Sequence, residues 1–403
     1  MLTRRALAKF VGAAALSGGM PLGLAARAIA QSAATPRPRG AYLIKNGAVV
    51  TVDQALGTLP RADVLVRAGR IAGIGPDLAA TDAEVIDATD MIVMPGFVDT
   101  HYHMWSALGR NFIGDGGFGY FPAKNATSKL YSADDFYNSV MLGLVELANA
   151  GITTVHNWSH NTRTPAHADA ELRAHRDSML RARYAYGHID QMPRDQALDF
   201  TDIDRVKRDY FAGGTAFDGL PLSFATHSEF RLGIAGDPRA ALLRMRKAGV
   251  VVSLSFDASS IAPPNMFETM RFTWNMGIPW KGTPTEGLPA VGFREVIEMA
   301  TLNGAKALGL GDVTGSLTVG KRADVILIRT NDINVAPLAN IETTVVQSAT
   351  PANVDTVLVD GRIVKREGKL VAYDVDKIVR DAKASSLRIR TAAGGVLAPP
   401  PGR

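Results

Sequence analysis

The run Met94-Pro-Gly-Phe-Val-Asp-Thr-His-Tyr-His103 constrains this chain more than any other stretch. Apolar Met91 to Met94 lead into Pro95-Gly96, and Phe97 and Val98 resume an extended segment that ends in Asp99, His101 and His103. Successive strand residues point to opposite faces, so both imidazoles face one site while Tyr102 turns away. Neutral imidazole nitrogen suits zinc, iron or nickel, and two ligands on one rigid strand lose little freedom on binding. The same His-x-His spacing also arises in loops, and context decides between the two.

With 403 residues, 46% of them hydrophobic, the chain can bury a large core and carry one big domain plus a smaller one. It has no cysteine, so a metal would rest on histidine and carboxylate alone. The net charge of +5 is scattered, and Arg4, Arg5, Lys9, Arg27 and Arg37 fall near the start, which argues against a nucleic-acid surface.

Residues 1–30 read as a twin-arginine export leader. The pair Arg4-Arg5 precedes a weakly apolar stretch, and Ala28-Ile-Ala30 supplies small residues before a cleavage at Gln31. Export of the folded protein would place it in the periplasm, with no membrane contact after cleavage. Residues 31–40 form a linker. Residues 41–90 and 315–375 carry short apolar runs broken by turns, with Asn46-Gly47, Ala68-Gly69 and Asp360-Gly361 placed as hairpin turns. Together they predict a composite β domain closed by both termini. Between them, residues 91–314 alternate strands, near 93, 152, 183, 222 and 251, with helices such as the one opened by Ser132 and stopped by Gly151. Residues 376–403 are read as a helix and tail.

Four of these stretches resemble the amidohydrolase superfamily in the expected order: Pro95 to His103, Gly151-Ile-Thr-Thr-Val155, Val251-Val-Ser-Leu-Ser-Phe-Asp257, and Gly315 to Leu327. Within it the pattern looks closest to the cytosine deaminase and triazine hydrolase-like branch. The resemblance implies an α/β fold: a TIM-like (β/α) barrel, with a small composite β-sandwich domain built from both termini. It also implies that His101, His103 and Asp257 bind one divalent metal ion, zinc first and iron as the alternative. Asp257 would then take a proton from metal-activated water that attacks a carbon–nitrogen bond of an amide, cyclic amide or ring amine in a small-molecule substrate.

Only 156 positions separate His101 from Asp257, whereas a closed barrel of this class takes roughly 200 residues or more, about 30 for each βα unit. The barrel is therefore expected to be shortened by about two or three units, the gap lying between Tyr210–Leu220 and Ser223–Gly233. Two histidines of the family, one ligand and one that polarises the substrate, have no counterpart. His227 is the candidate to replace the second as a catalytic group, with Glu229 beside it. Trp158, His160, His156 and Trp105 are candidate substrate contacts. Tyr102, Phe118 and Tyr120 would extend that aromatic wall, and Met266, Phe267 and Trp274 would close it. His167 and His175 fall on a predicted helix and are expected to be exposed. The alternative function is a catalytically silent periplasmic binding or scaffold protein, and an opened barrel would offer an unpaired edge for a homo-oligomer.

Overall fold

The computed structural model describes residues 38–112, 120–193, 196–212, 222–226 and 238–395. In chain order its strands are β1 (Tyr42–Val50), β2 (Thr58–Arg67), β3 (Arg70–Gly75), β4 (Glu84–Asp87), β5 (Met91–Pro95), β6 (Phe97–Tyr102), β7 (Ile152–Ser159), β8 (Arg181–Tyr186), β9 (Leu222–Thr226), β10 (Val325–Arg329), β11 (Val354–Val359), β12 (Arg362–Arg366) and β13 (Lys369–Leu370). The main helices are α1 (Tyr120–Thr127), α2 (Ala133–Asn149), α3 (Pro165–Ser178), α4 (Phe200–Val206), α5 (Pro238–Lys247), α6 (Met266–Met276), α7 (Phe293–Ala300), α8 (Leu302–Ala307) and α9 (Val375–Ala392). No described helix is long and apolar enough to cross a membrane.

Nine strands form one sheet, in the order β13-β12-β11-β10-β5-β1-β2-β3 with β4 beside β1. The two ends of the chain meet where β5 pairs antiparallel with β10, from Val325↔Pro95 to Arg329↔Met91. Alternation in β10 supplies two cores at once: Ile326 and Ile328 pack with Ile92, Met94 and Leu144, while Val325 and Leu327 pack with Val49 and Val64. The β2–β3 turn folds back onto the residues leading into β10, with Ala323 N donating to Gly69 O at 2.9 Å. The composite domain is thus built on one hydrogen-bonded sheet from both ends of the chain, folded back so that Val64 and Ile71 share a core with Val325 and Leu327. Asn46-Gly47 is a bulge inside β1, not a hairpin turn: Asn46 N donates to Asp63 Oδ1 (2.9 Å) and the register slips between Ile44 and Gly47.

The sheets change over at Pro95-Gly96. Gly96 N still donates to Asp324 O, and Phe97 N already donates to Gly151 O, both at 3.0 Å. A Cβ on Gly96 would lie 2.2 Å from Thr153 Cγ2, so only glycine lets the strand pass. Beyond it β6, β7, β8 and β9 form a parallel sheet in sequence order. The β6–β7 crossover is α2, opened by a Ser132–Asp135 capping box and burying Phe136, Val140, Leu144 and Leu147 along one face. Each such side chain contributes roughly 1.5–3 kcal/mol of burial. Gly151, at φ +81°, ends the turn.

The predicted strand Val250–Phe256 is not a ladder strand. It runs beside β6 through Thr100 N to Leu254 O (3.4 Å) and a single bridge at Tyr102↔Asp257. Val250 and Val251 are exposed, because no described strand covers their other side. Among the described residues the barrel is consequently open: four parallel strands and this extended segment stand in place of a closed ring. Helices α7 and α8 meet at a break at Thr301. Between β6 and α2 the chain forms a 3-10 turn at Met104–Gly109 and then α1.

Candidate metal centre

Alternation along β6 sends Tyr102 into the core against Phe256, and leaves His101 and His103 on the other face. His103 N donates to Asp257 O at 2.9 Å, which brings the Asp257 side chain in front of both imidazoles. His101 Nε2 and His103 Nε2 lie 2.9 Å apart, and each faces Asp257 Oδ1, at 3.4 and 3.2 Å respectively. All three donor atoms fall within 4.8 Å of one another. Tetrahedral ligands at zinc distances stand about 3.3 Å apart, so the donor set fits one small dication. Hydrogen bonds from His101 and His103 hold the Asp257 carboxyl well below the usual carboxylate range, and it is ionised at neutral pH. Behind them Asp99 is fully buried; one oxygen accepts from His101 N at 3.1 Å, and burial pushes its carboxyl well above the ordinary value.

Strand β7 builds the next wall. Its inner face presents His156 and Trp158, and the Trp158 ring lies 4.3 Å from that of His101. His156 sits deeper; burial, then Arg183 and His101, lower its pKa to about 4, and its Nε2 has no hydrogen-bond partner. Just past the strand, His160 is buried and its Nδ1 lies 2.9 Å from His103 Nδ1. Trp105 is not an open pocket wall: it is 1% exposed, packs on Tyr131 and Phe136, and donates its indole N–H to His160. His188, which follows β8, stacks on His160 at 5.8 Å.

The outer face of β7 corrects the expectation for His175 and His167, both of which are buried. Asn157 Nδ2 meets His175 Nε2 at 2.9 Å and Glu171 Oε1 at 3.4 Å, and Ser159 hydrogen-bonds Glu171 and, at 3.2 Å, Tyr184. His167 bonds Thr164 and the Tyr131 carbonyl. Several polar groups on the two sides of the β7–α3 contact pair with one another, which offsets part of the cost of burial, although Asn157 Oδ1 and His175 Nδ1 have no hydrogen-bond partner. Burial raises the Glu171 pKa to about 7 and lowers that of His175 to about 3, so the imidazole is neutral at neutral pH and the carboxyl is neutral only below about 7.

Met266 and Phe267 are core residues of α6, with Phe267 edge-on to Phe97 at 4.9 Å, and Trp274 stacks on Phe293. They do not form a lid. His227, Glu229 and Phe118 lie outside the described residues.

The Amidohydrolase family matches residues 92–219 and again 215–364. The two matches meet where the sequence is short of barrel units. A 5-methylthioadenosine/S-adenosylhomocysteine deaminase of Desulforudis audaxviator is 30% identical over 430 positions, covering 86% of this chain and 98% of the relative. That alignment exceeds the 403 residues present, so part of the relative has no counterpart here. A 5'-deoxyadenosine deaminase of Methanosarcina acetivorans is 25% identical, covering 85% and 97%. Among solved structures, a zinc-bound adenosine deaminase from Xanthomonas campestris superposes with a TM-score of 0.72 at 19% identity, covering 88% of this chain and all (100%) of that one. An atrazine chlorohydrolase from Arthrobacter aurescens complexed with zinc gives 0.70 at 17%, covering 86% and 100%. With matching motifs in order, a donor set in place and a family match over most of its length, the chain belongs to the amidohydrolase family.

Proposed function

We propose that this chain is an exported hydrolase that removes an amino group from a heteroaromatic ring, with one zinc ion held by His101, His103 and Asp257. Hydrolysis of a carbon–nitrogen bond outside peptides is the reaction of its deaminase relatives. The carrying observation is the convergence of two imidazoles and one carboxylate on a single centre. The ion, when bound, supplies a water of lowered pKa. Asp257, ionised and half-exposed beside it, accepts that water's proton and returns it to the leaving nitrogen. Trp158 offers a flat apolar face next to His101 on which a planar ring can lie. His156, neutral and deeper, has Nε2 available to accept or donate a hydrogen bond from that side.

Metal analysis of the purified chain, with ammonia release from adenosine, 5'-deoxyadenosine, cytosine and aminotriazines, tests the proposal. About one zinc per chain, lost together with turnover in His103→Ala, is expected. A metal-free protein without turnover on any of these would overturn it in favour of a silent binding protein. Arg4→Lys/Arg5→Lys should retain the same chain in the cytoplasm, while the exported form should begin at Gln31.

A further inference from the structure

We infer that His160 is a positioning residue for the metal ligand His103, acting through its ring nitrogen and not as a substrate contact. This rests on the metal-centre reading above and deepens it. His103 turns Nε2 toward His101 and Asp257, and its Nδ1 points the other way, to His160 Nδ1 at 2.9 Å. An imidazole that ligates through Nε2 carries its proton on Nδ1, and a partner for that proton fixes the ring's orientation and tautomer. His103 then donates and His160 Nδ1 accepts. Trp105, whose indole can only donate, lies 3.2 Å from this nitrogen and 3.1 Å from His160 Nε2, so it braces the ring without selecting its tautomer; the shortest polar contact of His160 Nδ1 is the one to His103, with the Trp158 carbonyl farther off at 3.4 Å.

Its surroundings hold His160 in that role. It is 4% exposed, with its Nδ1 turned to His103. Its main chain is pinned by Gly187 N to Ser159 O (2.7 Å) and Asn161 N to His188 O (2.8 Å), tying the end of β7 to the end of β8. Asn161 takes φ +70° and donates its side-chain amide to Ser128 O at 2.8 Å, which turns the chain away just after His160. The indole behind it is locked among Tyr131 and Phe136. A ring fixed on its far side in this way limits how the neighbouring ligand can rotate.

The test is zinc affinity by chelator competition on the full chain, with the visible spectrum of the cobalt-loaded protein as a second readout. His160→Gln fills the volume but places its oxygen near the Nε2 position, whereas His160→Asn places an acceptor near that of Nδ1. His160→Gln should bind zinc about 10–100-fold more weakly, with an altered cobalt spectrum, and His160→Asn should recover most of the loss. Equal weakening in both variants would mean that His160 acts only by packing, and unchanged affinity in both would mean no role; either result overturns the inference. His103→Ala runs alongside: retention of full affinity there would defeat the metal-centre reading itself, independently of His160.

Discussion

Asp257 is placed by a backbone conformation that few residues adopt, with φ +71°. Aspartate and asparagine enter this left-handed region several-fold more readily than other side chains that carry a Cβ. The residue therefore has two separable tasks: its conformation sets the chain's direction beside β6, and its carboxylate completes the donor set. Asp257→Asn and Asp257→Ala both remove the charge, so the difference between them isolates the backbone. Both should lose zinc and turnover, and the asparagine variant should be the more stable by about 1 kcal/mol in urea unfolding of the metal-free protein. Equal stability would show that the left-handed turn does not depend on the side chain. The place of Asp257 beside the two imidazoles was legible from the motif; its conformation was not, because a residue ending an apolar run reads simply as the end of a strand.

At the scale of elements, β7 and α3 show where sequence patterning succeeded and where it failed. The alternation His156-Asn157-Trp158-Ser159 correctly separates two faces. The helix against the outer one was read as exposing its histidines, although His167, Glu171 and His175 recur at four-residue spacing on the side that carries Ala168 and Leu172. That stripe could have been recognised: polar residues aligned with buried apolar ones are buried as well, provided that they meet polar partners. The buried pair gives opposing pH terms. His175, depressed to about 3 from 6.5, favours the folded state above the unfolded pKa and loses that contribution as pH falls toward 3. Glu171, raised to about 7 from 4.5, favours it below 4.5 and loses that contribution as pH rises through 7. Between pH 4.5 and 6.5 the two slopes oppose. Glu171→Gln should remove one of them, so that stability climbs with pH more steeply than in the unaltered chain, by up to about 1.4 kcal/mol per pH unit. Parallel curves of unfolding free energy at pH 4.5, 5.5 and 6.5 would refute the assignment.

For the whole molecule, the shortage of barrel units was legible by counting residues between His101 and Asp257, since a βα unit cannot be made much shorter than its strand and helix. The composite domain was read from the short apolar runs at both ends, but the strand near 93 was assigned to the barrel; its pairing with β10 across more than two hundred positions escaped the reading because local periodicity carries no information about such pairing. The Val250–Phe256 segment misled for the complementary reason: its apolar run is that of a strand covered on both sides, and among the described residues only β6 lies along it as a strand. With the ring open, the parallel sheet depends on its attachment to the terminal sheet. Arg181, at the start of β8, supplies it by donating Nε and Nη2 to Asp324 at 2.6 and 3.1 Å. Asp324 also accepts from Thr314 Oγ1 and Asp360 N, both at 2.7 Å, and both partners of the ion pair are buried. Removing one partner of a buried pair leaves the other charge uncompensated, a loss of about 3–5 kcal/mol. Arg181→Ala should therefore lower the unfolding free energy in urea by that amount and separate the melting of the two sheets, seen as different midpoints for tryptophan fluorescence and far-ultraviolet dichroism. A loss under about 1 kcal/mol, with coincident transitions, would mean that the pair is dispensable and that apolar packing around Ile326 and Ile328 joins the sheets unaided.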